Sequence, residues 1–321
     1  KIPINMGVGY WRSASLIKQI TERSKTRRSY PGKLMGLAGY GTVREEMLPH
    51  FRQFFIEKDG KIADMIKGGS YFQKTAGENV ASTIQKTFED ILFEELDKYD
   101  TQIPLVVTGG CALNVIINEK IKDRYEREVY VPPNPHDGGL SLGHMFCYQK
   151  PKERVNVTYN GLPLLDRDKL KDYNTKKVTK KDIAKLIKDG NIIGLIYGDS
   201  EVGPRALGNR SIVCDPSIPE MKDILNSKVK HRESYRPFAP FCKKEDAHKY
   251  FESRDFENME CMSFAVRVKV DTLPSITHID NTARLQTVTQ ESHSHFYDLL
   301  TEFGKISDTN VLLNTSFNTR G

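Results

Sequence analysis

Cysteine is scarce in this sequence, and the few cysteines lie far apart. Among 321 residues there are five, at Cys111, Cys147, Cys214, Cys242 and Cys261, and no two of them form a CxxC pair. An odd number at such spacing argues against a zinc ribbon and against a disulfide framework, and it is typical of a protein of the reducing cytoplasm. Cys111 follows a glycine pair, but nothing in the sequence would activate its thiol, so we interpret it as a small packing residue.

Long apolar runs are also lacking. No stretch approaches the run of about 18 apolar residues that a membrane-spanning helix needs, so no membrane span is expected. The start, "KIPINMGVGYW", lacks the apolar core and the small-residue cleavage site of a signal peptide. It also lacks an initiator Met, and the end at "NTSFNTRG" is abrupt. We therefore expect both ends to be cuts through a longer chain.

Acidic residues are outnumbered by basic ones, 42 against 48, which gives a formal net charge of +6. Much of the excess lies in the lysine-rich stretch 169–188. The simpler interpretation is a solvated helix face, and the alternative is attraction of anionic ligands or nucleic acid. With 38% hydrophobic and 28% charged residues, the composition is that of a soluble globular protein.

Hydrophobic periodicity predicts helices that alternate with short strands, and hence an α/β fold. Residues 76–99 carry apolar residues at helical spacing, "PLVVTGG" and "EVYVPP" are typical of short strands, and "ALNVIINEKI" and "DGGLSLGHMFCYQ" are typical of helices. In the second half, Thr179 and Asp182 form a capping-box pattern before a helix that ends near Gly190. Pro219 predicts the first position of a short helix.

Two glycine-containing motifs could each bind a ligand or simply turn the chain. In "VVTGGCALN", Gly109 and Gly110 follow a strand and precede a helix, where a phosphate could approach the backbone and Asn114 could bond a ribose or base. In "PPNPHDGGLSLG", Asp137 could be a metal ligand or a helix cap. Neither motif is a Walker A or GxGxxG sequence.

Basic residues concentrate in two further segments, "GDSEVGPRALGNRSI" and "NSKVKHRESYRPFAPF". The second places Lys228, Lys230, Arg232 and Arg236 within nine positions, and prolines stiffen the chain around them. Guanidinium groups bind phosphate through two parallel hydrogen bonds, so these residues with Arg205, Arg210 and Arg284 predict a polyanion pocket. Binding to a nucleic-acid backbone is the weaker alternative, because the aromatic residues lack the spacing of base-stacking platforms.

Seven motifs in order carry a family resemblance: "KLMGLAGYG", "VVTGGCALN", "PPNPHDGG", "GDSEVGPRALGNRSI", "NSKVKHRESYRPFAP", "HIDNTARLQ" and "LLNTSFN". Together they resemble the O-carbamoyltransferases of the nodulation, cephamycin and tobramycin type. The resemblance implies that residues 1–150 are the C-terminal part of a Kae1-like domain, a partial actin-like ATPase lobe. It further implies a linker at 151–168 and a YrdC-like α/β domain with a twisted sheet at 169–321.

The same resemblance implies a reaction. Carbamoyl phosphate yields carbamate, which attacks the α-phosphate of ATP, with Mg²⁺, and releases pyrophosphate; the carbamoyl group then passes from carbamoyl-adenylate to an acceptor hydroxyl. Site residues carry over by motif. Phosphate-binding catalytic residues are Arg205, Lys230, Arg236 and Arg284, nucleotide-binding residues are Gly109, Gly110, Asn114, Asn314, Ser316 and Asn318, and Asp137 is a ligand of iron or another divalent metal.

One departure from the family is plain, since the HxxxH pattern that supplies its two other metal ligands is absent here. We therefore expect the chain to lack the first lobe of the actin-like domain. Two alternatives stay open: synthesis of tRNA threonylcarbamoyladenosine, and a nucleic-acid-binding module without catalysis. The sequence leaves the acceptor open among sugars, antibiotics, lipo-oligosaccharides and bases, so nucleic acid enters our interpretation only as an acceptor. It also allows for a homodimer.

Overall fold

The computed structural model describes residues 5–22, 24, 26–56, 75–99, 102–153, 155–166 and 168–318. The chain packs as two compact units, Lys1–Pro104 and Leu105–Gly321. The predicted α/β class is confirmed, because the second unit combines helices with a large mixed sheet. The predicted domains at 1–150 and 169–321 concern homology rather than packing, and they stay a prediction.

The described part of the first unit is helical. Its helices are α1 (Met6–Ala14), α2 (Lys18–Thr21), α3 (Tyr30–Ala38), α4 (Leu48–Ile56) and α5 (Gly77–Leu96), with 3-10 turns at Arg27–Ser29 and Glu45–Met47. Helix α5 confirms the helix predicted over 76–99, because Val80, Ile84 and Phe88 are buried on one face. The ring of Tyr10 packs edge-on to that of Phe88 at 5.0 Å.

A short parallel sheet begins the second unit. Strands β1 (Leu105–Val106) and β2 (Val129–Tyr130) flank helix α6 (Val115–Tyr125), and helix α7 (Leu140–Gln149) follows. Single 3-10 turns at Gly110–Leu113 and Asp137–Gly139 lead into the two helices. The strands and helices predicted here are confirmed, although each strand pairs over two residues only.

A seven-stranded mixed sheet forms the rest of the second unit, in the order β3-β4-β9-β5-β8-β7-β6. The strands are β3 (Ile193–Ile196), β4 (Arg210–Cys214), β5 (Ala239–Lys243), β6 (Phe251–Glu252), β7 (Phe264–Val268), β8 (Thr282–Val288) and β9 (Val311–Ser316). Only the β5–β8 pair is parallel among them. Because β9 lies between β4 and β5, it brings together the segments that precede those two strands.

Helices of the second half cover this sheet or join its strands. They are α8 (Lys180–Lys188), α9 (Met221–Ile224), α10 (Ala247–Tyr250) and α11 (Ser294–Gly304), with 3-10 turns at Lys169–Asp172 and Lys244–Asp246. Helices α8 and α11 pack on a core that includes Val213, Phe241 and Phe296. In the part of the chain that the structure describes, no helix has the length and apolar character to cross a membrane.

Local sequence signals were accurate at α8 and less so at α9. The capping box of Thr179 and Asp182 is present, and Gly190 follows the helix with a φ of 84°. The prediction for Pro219 was wrong, because α9 begins two residues later, at Met221, after the cap residue Glu220. Helix α9 continues into a π turn at Leu225–Val229, and the basic segment follows this turn.

Candidate functional site

The loop 198–210 is closed by one carboxylate oxygen. Oε1 of Glu201 accepts hydrogen bonds from the backbone N–H groups of Leu207 at 2.9 Å, Asn209 at 2.9 Å and Arg210 at 3.2 Å. A charged acceptor makes stronger hydrogen bonds than a neutral one, and here it satisfies donors that no regular structure would pair. These three hydrogen bonds therefore close the loop and restrain the segment that carries Arg205.

Glycine is required at two places in this loop. Gly203 has a φ of 146°, and a Cβ there would lie 2.4 Å from the carbonyl oxygen of Pro133. Gly208 has a φ of 130°, and its Cβ would lie 2.2 Å from the ring of Phe296. Both backbone conformations are rare for other residues, and both Cβ atoms would clash. The glycines thus allow the loop to pack against "PPNP" on one side and helix α11 on the other.

Side-chain amides from the sheet hold the same loop through its carbonyl groups. Asn314 on β9 donates to the carbonyl oxygen of Ala206 at 3.0 Å, and Gln286 on β8 donates to that of Leu207 at 2.7 Å. Asn314 also donates to Oε1 of Gln286 at 2.9 Å and is 1% exposed. Both amide hydrogens of Asn314 are thus used inside the protein, where it supports the loop.

Arg205 lies in a cleft between the loop and two earlier motifs. Its Nη2 donates to the carbonyl oxygen of Leu113 at 3.4 Å. The cleft is lined by Ala112, Leu113, Val115, Pro133, Pro135, Pro204, Arg205, Cys261, Met262 and Ser263. Burial lowers the pKa of Arg205 to about 10. One weak neutral acceptor does not balance a guanidinium charge, so the cleft favours an anion.

Lys230 follows the π turn and lies wholly inside the protein, at 0% exposure. Its Nζ donates to the carbonyl oxygen and hydroxyl of Ser316 and, at 3.2 and 2.8 Å, to the carbonyl and side-chain oxygens of Asn318. Burial, followed by the charges of neighbouring arginines, lowers its pKa to about 8. A direct contact with phosphate needs one of these four oxygens to give way.

Arg232 and Arg236 extend the same segment. The guanidinium of Arg232 donates to Oδ1 of Asn226 at 2.7 Å and to the carbonyl oxygen of Pro237 at 3.3 Å, and it lies 4.5 Å from the ring of Phe238. Arg236 forms an ion pair with Glu233, at 3.8 Å. Burial, followed by the charge of Arg236, lowers the pKa of Arg232 to about 9.

Arg284, on β8, completes this cluster. Its Nε is buried and has no hydrogen-bond partner among the described residues. Burial lowers its pKa well below the ordinary value, and the charges of Arg205, Arg232 and Arg236 lower it further. Arginine stays protonated in proteins, so these shifts express the cost of burying the charge and, after it, the repulsion between neighbouring cations, rather than a neutral side chain. We name Arg205, Lys230, Arg232, Arg236 and Arg284 the basic pocket.

The glycine motif of the first half lies near Arg205. Gly109, with a φ of 86°, and Gly110 are exposed, and a Cβ at either would meet nothing within 4 Å. Asn114 is buried, and its side chain accepts from the N–H of Ile117 at 3.2 Å, which makes it the N-cap of α6. The next residue back, Leu113, contacts Arg205, so this turn and the basic pocket are neighbours within one unit.

A metal at Asp137 finds no support in the residues around it. Asp137 is exposed, and the adjacent His136 accepts from the N–H of Gly138 at 3.0 Å. No three His, Cys, Asp or Glu residues gather into a metal-binding group anywhere in the described ranges. The described residues therefore do not fit a metal site, and a metal ligand role for Asp137 stays a prediction.

The structure brings the predicted phosphate-binding residues together, and Arg232, predicted from its charge to join the same polyanion pocket, lies with them. Lys228, predicted with them, is exposed. For Arg232, the spacing of two from Lys230 in "KHR" was the available signal. Glu201 and Gln286 had no such signal, because their hydrogen bonds depend on how the loop folds. Arg210, which we predicted to join the polyanion pocket, begins β4 with an exposed side chain, and its carbonyl oxygen accepts from the N–H of Phe317 at 3.0 Å. Its charge is the last of the causes that lower the pKa of Lys230, after burial and the charges of Arg232 and Arg236.

Cys111 lies beside this cleft, and its chemistry agrees with the prediction of a packing residue. Burial raises its pKa to about 11. The thiolate is the nucleophilic form of cysteine, so a raised pKa makes the side chain inert at neutral pH.

Two family models match the chain. The one described as "Carbamoyltransferase N-terminus" matches residues 13–145, and "Carbamoyltransferase C-terminus" matches residues 184–321. The second match contains the whole basic pocket, and the first contains the glycine turn and Asp137.

Curated proteins of nodulation bacteria are similar over most of the chain. Nodulation protein NolO of Bradyrhizobium diazoefficiens is 35% identical over 89% of this chain and 59% of its own length. Nodulation protein NolNO of Sinorhizobium fredii is 34% identical, over 89% of this chain and 48% of its own. Nodulation protein U of Rhizobium tropici is 30% identical, over 90% and 56%. The chain spans about half the length of these relatives.

Proposed function

The chain belongs to the carbamoyltransferase family, and from this premise we propose that it activates a carbamoyl group with ATP for transfer to an acceptor hydroxyl. Carbamoyl phosphate is the proposed donor. The basic pocket is the proposed site where carbamoyl phosphate and the ATP phosphates bind. Residues 1–150 and 169–321 are proposed to be Kae1-like and YrdC-like domains.

A single observation carries this proposal: the residues that the structure describes do not balance the charge of the basic pocket. Burial, followed by the charges of neighbouring arginines, lowers the pKa of Lys230, Arg232 and Arg284. The Arg236–Glu233 contact is the one carboxylate ion pair that the described residues give the five cations. Buried charges without partners are costly, and proteins keep them where a ligand of opposite sign binds. Polyphosphate has that sign, and its geometry suits guanidinium groups.

The proposed chemistry balances in three steps. Water cleaves carbamoyl phosphate to carbamate and inorganic phosphate. An oxygen of carbamate then bonds to the α-phosphorus of ATP as the bond to the bridging oxygen breaks, and pyrophosphate leaves. Finally, the acceptor hydroxyl attacks the carbamoyl carbon, loses its proton, and AMP leaves.

The residues of the pocket have distinct proposed roles. Arg205, Arg232 and Arg284 neutralise the phosphates, and their effect is largest on the charge that develops on the departing pyrophosphate. Lys230 adds charge while it holds Ser316 and Asn318 at the end of β9. Gly109 and Gly110, whose backbone has open space beside it, are the proposed binding site of the adenylate next to Arg205.

Pyrophosphate release tests the proposal. We expect release from ATP to require carbamoyl phosphate, and we expect Arg205→Ala to lower the rate by about 100-fold, the size seen when one positioned charge is lost at a transition state. Arg254→Ala is the matched control, because Arg254 is an exposed arginine of the same unit. It should keep the activity.

Two outcomes would contradict the proposal. One is release that is equally fast without carbamoyl phosphate. The other is an Arg205→Ala variant that is as active as the Arg254→Ala control. A carbamoylated acceptor need not be known for either measurement, because the first two steps do not involve it.

A further inference from the structure

We propose that Glu201 is a positioning residue that fixes the direction in which Arg205 enters the basic pocket, and that it acts by the location of one carboxylate oxygen rather than by its charge. This inference rests on the proposed function of Arg205. It assigns a task to a residue that touches no proposed substrate. Three observations on the loop lead to it.

The first observation is that Glu201 is hydrogen-bonded to backbone rather than to cations. Its Oε1 accepts from Leu207, Asn209 and Arg210. Within the described ranges, no Lys or Arg side chain forms an ion pair with Glu201, although the loop itself carries two arginines. The carboxylate is therefore committed to the shape of the loop.

The second observation is that the peptide unit one residue after Arg205 is fixed from both sides. The carbonyl oxygen of Ala206 accepts from Asn314, and the N–H of Leu207 donates to Glu201. Both groups belong to the peptide between Ala206 and Leu207. Holding both ends of this planar peptide fixes its orientation and so restricts the backbone of Ala206, the residue bonded to Arg205.

The third observation is that Glu201 joins the two sides of the loop from within. The amides of Asn314 and Gln286 hold the loop from the sheet, through the carbonyl oxygens of Ala206 and Leu207. Gly203 and Gly208 flank Arg205 with positive φ angles of 146° and 130°, and glycine allows many other conformations besides these. Glu201 therefore restrains, from inside the loop, a backbone that its glycines leave adaptable.

Two conservative variants separate the location of the oxygen from its charge. Glu201→Gln keeps an acceptor oxygen in the same place and removes the charge. Glu201→Asp keeps the charge and withdraws the oxygen by one methylene. The control is Asp182→Ala, which removes a carboxylate that accepts a backbone N–H elsewhere in the same unit, at 2.8 Å from Thr179.

The measurement is calorimetric binding of inorganic pyrophosphate to the protein, followed by pyrophosphate release with carbamoyl phosphate and ATP. We expect Glu201→Gln to remain within about threefold of wild type in both. We expect Glu201→Asp to weaken binding about tenfold and to lower kcat more than it raises KM, since a small misplacement at a reacting centre costs mainly rate. Asp182→Ala should change neither, while its melting temperature falls.

A double-mutant cycle with Arg205→Ala decides whether Glu201 acts through Arg205. Residues that act as one unit are not additive, so Glu201→Asp should cost less than about twofold in binding once Arg205 is absent. Additive losses would overturn the inference, and so would a Glu201→Gln variant as weak as Glu201→Asp. Failure of the proposed function gives a different result, namely pyrophosphate release by the wild type that does not depend on carbamoyl phosphate. The double-mutant cycle on pyrophosphate binding still tests the role of Glu201 in that case.

Discussion

Lys122 and the basic pocket, both in the unit of residues 105–321, differ in how their charge is balanced. Lys122, on α6, is 1% exposed. Its Nζ donates to the carbonyl oxygen of Asp255 at 2.9 Å and lies 3.5 Å and 3.7 Å from the carboxylates of Asp255 and Glu119. In the basic pocket, by contrast, the buried Nε of Arg284 has no hydrogen-bond acceptor among the described residues, and the charges of three arginines act on it.

This difference in charge balance is a criterion that distinguishes a structural cation from one that we propose to bind a ligand. Lys122 links α6 to the segment before β7, and the carboxylates of Glu119 and Asp255 balance its charge. The partner Glu119 is itself affected, since burial raises its pKa to about 7. The described residues give the basic pocket less negative charge than its cations need, and on this ground we propose that it binds an anion. The predictions below test this contrast, beginning with the largest effect.

Lys122→Met should destabilise the protein strongly and leave anion binding intact. Loss of the ammonium leaves the carboxylates of Glu119 and Asp255 without their cation, which costs about 3 kcal/mol in the free energy of unfolding. Urea denaturation measures this, and Lys120→Met, an exposed lysine of the same helix, should cost less than about 0.5 kcal/mol. A stable Lys122→Met protein that no longer binds pyrophosphate would contradict the structural role of Lys122 and its distinction from the basic pocket.

Pyrophosphate should stabilise the folded protein. At a concentration of about 100 times Kd, a ligand of the native state adds about 2.7 kcal/mol. For a unit of this size, that is a rise of roughly 5–10 °C in Tm. Differential scanning calorimetry measures the shift, and the Lys122→Met protein should show it as well. An unchanged Tm at saturating pyrophosphate would contradict the proposal that the basic pocket is an anion site.

Pyrophosphate affinity should fall as pH rises through about 8, because Lys230 then loses its proton. Between pH 7 and 9 the loss should reach about tenfold. The ligand-free protein responds in the opposite sense: a lowered lysine pKa makes a contribution to stability that is present above the ordinary value of 10.5 and is lost as pH falls through about 8.

Two variants identify the titrating group. Lys230→Arg stays charged at these pH values, so the fall in affinity should disappear. Lys180 also has a pKa lowered to about 8 by burial, but it lies outside the basic pocket. Lys180→Met should therefore keep the fall. Calorimetric Kd values across pH would refute the assignment if Lys230→Arg kept the pH dependence or Lys180→Met abolished it.

The smallest effect is expected for Arg210→Ala. Its side chain is exposed at the start of β4, so solvent screens its charge, and pyrophosphate affinity should change by less than about threefold. The same calorimetric titration measures it. A loss as large as that of a pocket arginine would show that the pocket extends to the surface of the loop.

The sequence predicted residue types and local elements well. Thr179, Asp182 and Gly190 placed the ends of α8, because caps depend on residues close in the chain. "KHRESYR" and "GPRALG" predicted a concentration of cations, because charge is visible in composition. Charge and resemblance grouped Arg205 with Arg284, but no local pattern could show that they lie close, since they come from a loop and a strand far apart in sequence.

What the sequence could not predict was which side chains hold the site rather than face its ligand. Asn314 was predicted to line a nucleotide pocket, and it supports the loop through Ala206 instead of presenting its amide hydrogens. Its nucleotide role stays a prediction. Glu201 and Gln286 were not singled out at all. Such roles arise from hydrogen bonds between distant strands and loops, which no local pattern encodes.

Titration of wild type and Arg284→Met with inorganic pyrophosphate tests the central claim, that the unbalanced charge of the basic pocket is an anion site. We predict that Arg284→Met binds pyrophosphate at least about tenfold more weakly, since a hydrogen bond to a charged group contributes about 1.5–3 kcal/mol. Its Tm without ligand should be unchanged or higher, because a buried unbalanced charge has been removed. Unchanged binding together with a loss of stability like that of Lys122→Met would contradict the account.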